Sequence, residues 1–294
     1  MTVETCAYAG TGNVMKAQRF LQECADHLTE DNSHQAVAAL GLALCAQGEP
    51  IGAEMAIRML EHMLQYGEMN LRRVVPLCIG LLNISNPKPQ VVDMLSRLTH
   101  DGDDDTAMGA ILSLGLVAAG TNNARVAQLL RLLVQFYAKD ANMLFTVRLA
   151  QALLHMGKGL VTLNPAHSDR LLMSNVGLGG LLVIMHACLD IKTILLGKHH
   201  YMMYFLAAAM SPRMLMTLDE EGNSVPVSVR VGQAVDTVGQ AGRPKTITGF
   251  QTHTTPVLLM ADQRAELATE EYIACSPVLE GFVIVKKNPD FVQS

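Results

Sequence analysis

Small residues recur at the centres of apolar stretches along most of this chain, and that recurrence restricts the fold more than any other feature. QAVAALGLALCAQG carries Gly41 in the middle of an aliphatic run, VVPLCIGLLNIS carries Gly80, and TAMGAILSLGLVAAG carries Gly115. FTVRLAQALLHMG offers Ala150 at the same point, and SNVGLGGLLVIMHA offers Gly180 with Gly179 beside it. Counted to Gly180, the centres are 39, 35, 35 and 30 residues apart. Near the amino terminus Ala9-Gly10 matches Ala119-Gly120, which puts a first centre near Thr5, 36 residues before Gly41. Turns such as GTGN, QGEPIG, SNPKP and GTNN follow the centres. After each turn comes a second segment of helical period: VMKAQRFLQECADHL, AEMAIRMLEHMLQYG, QVVDMLSRL and ARVAQLLRLLVQFY. Two helices repeated every 30 to 40 residues are the signature of an α-solenoid.

A glycine inside a helix costs on the order of 1 kcal/mol relative to alanine. Repeated mid-helix glycines therefore need a return, and close approach between stacked helices supplies one. Gly10, Gly41, Gly80, Gly115, Gly120, Ala150, Gly179 and Gly180 are accordingly read as close-packing positions of an inner helical layer. Larger Leu and Met side chains of the second helices would cover that layer. Composition agrees: 50% of the 294 residues are hydrophobic and 17% charged, aromatics are only 4%, Trp is absent, and there are 18 Met. A core with few rings must be filled by aliphatic chains and thioethers, and so apolar a chain is not disordered in bulk. On the second helix, Arg125, Gln128, Arg131 and Gln135 fall at steps of 3, 3 and 4, a solvated stripe.

Past Tyr201–Met210 the helical pattern stops at Ser211-Pro212, and short alternating runs follow: RMLMTLD, VPVSVRVG, KTITGF, PVLLM and GFVIVKK. The expected fold is mostly α, a toroid-forming solenoid of helical hairpins of about 35 residues followed by a small β-rich domain. The expected divisions are 1–198 for the repeats, with the first truncated, 199–211 for a terminal helix, and 212–294 for the β-rich domain. ADQRAELATEEYI, 261–273, reads either as a loop with a short helix or as a strand pair. Leu171–Leu189 lacks Lys, Arg, Asp and Glu and approaches the length of a membrane span. Its Ser174, Asn175, His186 and three glycines, without basic flanks, favour a helix buried in a large helical protein.

The sequence gives little support for site chemistry. Six cysteines at 6, 24, 45, 78, 188 and 275 form no CxxC, so neither a disulfide framework nor a zinc site is expected, only buried reduced thiols. MTVETCAYAG has no signal-peptide character, and the Asn83-Ile84-Ser85 sequon is expected to be idle. His199-His200 are adjacent rather than four apart, and His253 stands alone, so none is expected to bind metal. Asp101-Gly102-Asp103-Asp104-Asp105 lacks the acid of a calcium loop, because Leu112 occupies that position. Acids ahead of a helix favour its positive end instead. Gly10-Thr11-Gly12, Gly177–Gly180 and MGKGL do not complete a phosphate loop. No catalytic motif stands out, so no cofactor is expected and the chain reads as a non-enzyme. A net charge of −5 without a dense Lys/Arg run argues against nucleic acid.

Residues 114–130 follow L-G-L/A-x-x-A-G-x-x-N-x-x-x-A-x-x-L, which resembles a proteasome/cyclosome repeat. GLGGLLVIMHACLDIKTILLGKHHYMMYFLAAAMSPRMLMTLDEEG and the segment from VPVSVRVG to TPVLL extend the likeness. Together they resemble the carboxy-terminal portion of the smaller of the two large non-ATPase scaffolds of the 26S proteasome base. The resemblance implies a non-catalytic scaffold in the cytoplasm and nucleus, contacting base ATPase subunits and other regulatory-particle subunits. It also implies that ubiquitin and ubiquitin-like domains are received by upstream repeats absent here, so no residue of this chain inherits that role. The alternative is a general α-solenoid interaction module outside the proteasome.

Overall fold

The computed structural model describes residues 1–25, 33–167, 172–236 and 245–291. Its helices in chain order are α1 (Thr2–Ala7), α2 (Val14–Ala25), α3 (Ser33–Ala46), α4 (Pro50–Tyr66), α5 (Met69–Leu82), α6 (Pro89–Leu98), α7 (Asp104–Val117), α8 (Ala124–Phe136), α9 (Ala141–Leu154) and α10 (Asn175–Ala187). The odd-numbered helices α1 to α9 lie side by side, each against the next, as a first layer. In the second layer, α2, α4, α6 and α8 each pack on the first-layer helix that follows them.

Sequence explains the layering. From Thr106 to Val117 every residue of α7 is buried, as an all-round apolar helix requires. By contrast, α8 buries Val126, Leu130 and Leu133 at steps of four and three and turns Arg125, Gln128, Arg131 and Gln135 to solvent. Helix starts are set locally. Asp103, Asn123, Asp140 and Ser174 accept hydrogen bonds from first-turn N–H groups, while Pro50 and Pro89 open α4 and α6.

The last carbonyls of a helix have no partner within it. Here the turn of the preceding hairpin supplies one. Gly10 N donates to Leu44 O (2.8 Å) and Gly12 N to Cys45 O (2.9 Å). Gln47 Nε2 donates to Leu81 O (3.0 Å), and Ser85 N to Leu116 O (3.1 Å). Gly120 N donates to Leu153 O (3.0 Å) and Asn122 N to Leu154 O (3.3 Å). Gly10, Gly12, Ser85, Gly120 and Asn122 all have positive φ, between 50° and 69°. Glycine and asparagine adopt that conformation at least cost, which is why they mark these turns.

Beyond α9 the chain runs through two short paired strands, β1 (Val161–Leu163) and β2 (Met210–Pro212). Between them it returns over the helical layer. Leu163 N donates to Ser85 Oγ (3.0 Å), Met173 lies against Gly10, and Cys188–Asp190 meets α5. The expected helix before Ser211 is a 3-10 helix, His200–Ala209, packed on α10. Of the apolar stretch 171–189, α10 takes 13 residues while Leu171 lies outside the described residues. No helix among the described residues is long and apolar enough to cross a membrane.

The contacts divide into two units, Met1–Gly159 with Leu163–Met210, and Leu160–Thr162 with Ser211–Ser294. In the second unit the strands are β3 (Met214–Leu218), β4 (Ser228–Asp236), β5 (Lys245–Thr254), β6 (Val257–Leu258), β7 (Gln263–Leu267), β8 (Tyr272–Ala274) and β9 (Phe282–Lys287). They form sheets of order β6-β3-β9-β8 and β5-β4-β7, in which only β3 and β9 run parallel. Leu215, Val229, Val231, Ala265, Val283 and Val285 alternate with outward residues and form the core. Of the two readings of 261–273, strands are found, because β7 pairs with β4 and buries Ala265 opposite Val231. The GQAGRP turn lies outside the described residues. The fold class is therefore a mostly α repeat unit followed by a small β-rich part.

Gly120 combines a φ of 65° with a hydrogen bond to the next repeat. Replacing it by Ala should cost about 1–2 kcal/mol, the penalty of a left-handed Cβ. Calorimetry should show a Tm lower by roughly 2–4 °C per kcal/mol. Gly102, where an added Cβ meets nothing within 4 Å, is the control and should tolerate Ala.

Candidate functional site

First-layer helices meet through the small centres, which form a seam. A Cβ added at Gly115 would lie 2.7 Å from Ala150 Cα and 3.0 Å from Ala150 Cβ. At Gly80 it would lie 2.9 Å from Ser113 Cβ, and at Gly41 it would strike Thr5 Cγ2 and the Phe20 ring. These pairs join α7 to α9, α5 to α7 and α3 to α1. Ala150 itself is fully buried. Gly180 belongs to a separate contact, where an added Cβ would meet Phe205 O and lie 2.9 Å from Ala208 Cβ. Gly10 and Gly120 sit in turns rather than helix interiors. Gly10 faces Met173, whose Cγ would be 2.7 Å from an added Cβ, and Gly120 is the ladder donor described above.

Gly179 needs correction. It lies on the exposed side of α10, where an added Cβ meets nothing within 4 Å. Adjacent residues on a helix point about 100° apart, so Gly179 and Gly180 cannot share one contact. Thr5 and Ser113, which receive the glycines, were not among the expected close-packing residues. Thr5 had a signal, its 36-residue offset from Gly41. Ser85 had one too, because it follows Gly80 by five residues as Gly120 follows Gly115.

The acidic run at the start of α7 forms a charged node. Asp103 caps the helix, its Oδ2 accepting from Thr106 N (3.0 Å) and Thr106 Oγ1 (2.9 Å). From α5, Arg73 grips the same carboxylate with two bonds, Nη2 to Oδ1 (2.6 Å) and Nε to Oδ2 (3.0 Å). Lys192 Nζ lies 2.9 Å from Asp105 Oδ1, so the segment after α10 is tied to the same end. The hydrogen bond from Arg73, aided by those from Thr106, holds the Asp103 carboxyl down at about 2. Neither Arg73 nor Lys192 is legible beside this run, since 30 and 87 residues separate them from Asp103 and Asp105.

Other candidates are dispersed. His199 Nδ1 is 3.2 Å from Tyr201 Oη, whereas His253 stands exposed on β5. Among the described residues no group of three His, Cys, Asp or Glu is placed to hold a metal ion. Gly157 and Gly159 of MGKGL lie in a turn at positive φ. Asn83 is buried and donates to Ile79 O (3.1 Å). Cys24, Cys45, Cys78 and Cys188 are buried, and burial pushes the thiol of Cys24 up to about 12 and raises those of Cys78 and Cys188. Cys6 and Cys275 depart from the expectation of buried thiols, since both are exposed.

Residues 109–142, spanning the Gly115 seam and α8, match the proteasome/cyclosome repeat family. Residues 238–291 match the family described as 26S proteasome non-ATPase regulatory subunit RPN1 C-terminal. Relatives extend the likeness over nearly the whole chain. The chain is 62% identical over 291 residues to 26S proteasome non-ATPase regulatory subunit 2 homolog B of Arabidopsis thaliana, covering 99% of this chain and 33% of the relative. It is 57% identical over 290 residues to subunit 2 of Dictyostelium discoideum, covering 99% and 32%. To regulatory subunit rpn1 of Schizosaccharomyces pombe it is 51% identical over 296 residues, covering 99% and 33%. The likeness to these regulatory subunits therefore runs through nearly all of this chain. The chain spans about a third of the length of the curated relatives it matches. Gly115 and the turn donors Gly120 and Asn122 thus lie within the repeat match, and the match to the carboxy-terminal family falls within the β-rich unit.

Two outcomes follow from this geometry. Gly115→Ala should destabilise by about 1–3 kcal/mol, because a backbone atom stands in the way and overpacking outweighs the propensity gain. Gly179→Ala should stabilise by about 0.5–1 kcal/mol, since propensity acts there unopposed. Denaturant midpoints of the two variants should move in opposite directions.

The folded pKa of Asp103 is depressed, so its contribution is fully present above the unfolded value of 3.8 and is lost as pH falls towards about 2. Asp103→Asn keeps a capping side chain but loses the charge. The stability gap between wild type and variant should be about 1–2 kcal/mol near neutrality and should shrink as pH drops below about 4. Urea titrations at several pH values measure it. A gap independent of pH would assign the effect to packing.

Proposed function

We propose that this chain is part of a non-catalytic scaffold of the 26S proteasome regulatory particle, contributing to ubiquitin-dependent protein degradation. The similarity that runs through nearly all of the chain to subunits named as non-ATPase regulatory components carries this reading. The seam supports it physically, because stacked hairpins expose a rigid, extended surface without needing a catalytic centre. Residues 1–198 are read as the repeats, 199–211 as a terminal segment that holds the 3-10 helix, and 212–294 as the carboxy-terminal domain. Gly10, Gly41, Gly80, Gly115, Gly120, Ala150 and Gly180 are read as the positions that hold the helical layer together. The partners are base ATPase subunits and other regulatory-particle subunits, in the cytoplasm and nucleus. Ubiquitin and ubiquitin-like domains belong to repeats that precede this portion.

Affinity purification of the tagged protein, followed by mass spectrometry, tests the reading. Base ATPase subunits should co-purify in near-stoichiometric amounts. Purification of a folded protein with unrelated partners and no ATPase subunits would favour a solenoid module outside the proteasome.

A further inference from the structure

The strands at the sheet edges of the β-rich unit differ greatly in length. β6, β7 and β8 have two, five and three residues, whereas β5 has ten. β5 lies at the edge of its sheet, with β4 as its one neighbour there. Every residue from Thr248 to Thr254 is exposed, while β4 beside it buries Val229 and Val231. A long free edge offers a row of unpaired N–H and C=O groups, and proteins blunt such edges with charge, proline or a bulge. The stretch FQTHT, 250–254, holds no Lys, Arg, Asp, Glu or Pro. The bulge stands at its start, where Gly249, at a φ of 60°, and Phe250 together face Gly232 of β4.

Hydrogen bonds on both sides of β4 fix which groups of β5 point outward. In an antiparallel pair, residues that bond across alternate with residues that point away. Thr255 N donates to Val227 O (3.0 Å), so the bonding residues of β5 are His253 and Gln251, opposite Val229 and Val231. Thr252 and Thr254, opposite Arg230 and Ser228, therefore turn their N–H and C=O groups out of the sheet. The other side of β4 agrees, because Ser228 O accepts from Ala268 N (2.9 Å), away from β5. Four backbone groups thus line the free edge without a partner among the described residues. Beside them lies an apolar ring. Phe250 is 53% exposed, with the Arg230 guanidinium 5.4 Å from its centroid, on the face that carries Thr252.

We propose that the Phe250–Thr254 edge of β5 takes an extended segment of a partner protein as an added strand. The free groups specify the occupant, because extended backbone carries complementary donors and acceptors at the same two-residue repeat. Aromatic or β-branched residues at alternate positions of the segment pack beside Phe250 and Thr252. Five residues suit a lone strand rather than a second copy, since stable protein interfaces engage about 20–30 residues a side. The edge belongs to the β-rich unit alone, so the proposal stands independently of the scaffold reading.

The probe is a fluorescein-labelled eight-residue peptide of alternating Thr and Val that ends in Lys. Two counterparts carry backbone N-methyl groups, one on the Val amides and the other on the Thr amides. Titrated with the full chain and followed by anisotropy, the unmodified peptide should bind saturably in the micromolar range. One N-methylated peptide should keep that affinity and the other lose it, because only alternate N–H groups of an added strand face β5. Thr252→Pro removes an outward N–H and no bond to β4, so it should weaken binding roughly tenfold or more while the melting temperature holds. Phe250→Ser should also weaken binding, and Ile273→Ser, in the other sheet, should change nothing. Circular dichroism checks that each variant folds, and the N-methyl comparison on the wild-type chain decides even where a variant does not. The proposal is overturned if the unmodified peptide does not bind, if the two N-methylated peptides behave alike, or if folded Thr252→Pro binds as wild type does. It is also overturned if sedimentation shows a dimer of this chain that Thr252→Pro dissolves, since a second copy would then occupy the edge.

Discussion

Backbone contact between neighbouring first-layer helices is the constraint on which the helical unit depends. Gly115 against Ala150, Gly80 against Ser113 and Gly41 against Thr5 leave no room for a further carbon atom at the glycine. At that separation the turn after one inner helix comes within hydrogen-bond reach of the last carbonyls of the next, and the ladder from Gly10 to Asn122 forms. The two effects reinforce each other. Close packing brings the orphan carbonyls to a donor, and the donors fix the axial register in which a glycine finds its small partner. An inner layer held in this way buries both its sides, which is why α7 is apolar all round and why charge is confined to its first turn.

That first turn is where the layer is tied to the returning chain. Asp103 serves as helix cap and as the bidentate partner of Arg73, while Asp105 also holds Lys192. Exposed ion pairs contribute little singly, but this one combines a cap, a guanidinium fork and a second cation on one helix end. It joins α5, α7 and the segment after α10, three elements far apart in sequence. The outer layer faces looser demands. Its helices need one apolar side, and their other sides are free to differ, as α8 does with its exposed Leu132 and Phe136. Surface specificity therefore resides in the second layer and rigidity in the first.

Much of this was legible beforehand because it is local or periodic. The hairpin repeat, its small centres, the turns and the change to alternating β-branched runs near residue 212 all follow from the spacing of residue types. The 36-residue offset marked Thr5 as a centre, but its contact with Gly41 emerged only from the structure. Gly179 shows the limit of that reasoning. As a small residue beside Gly180 it looked alike in sequence, but one residue along a helix turns the side chain by about 100° and out of the contact. The 261–273 segment shows another limit, since AELATEE has helix-forming composition and only pairing with β4 made part of it a strand.

By itself the sequence determined the architecture: helical hairpins of one period with small centres, followed by short strands, in a chain without the spacings that metal or nucleotide chemistry requires. Only the tertiary structure decided which small residues touch, which turn donates to which helix end, and how the acidic run is neutralised. It alone revealed that Leu132, Phe136 and Phe145 stay exposed. The reason is physical. Periodicity records which face of an element is buried, while contacts between elements 30 to 90 residues apart depend on crossing geometry and register, which the order of residues along one helix does not encode.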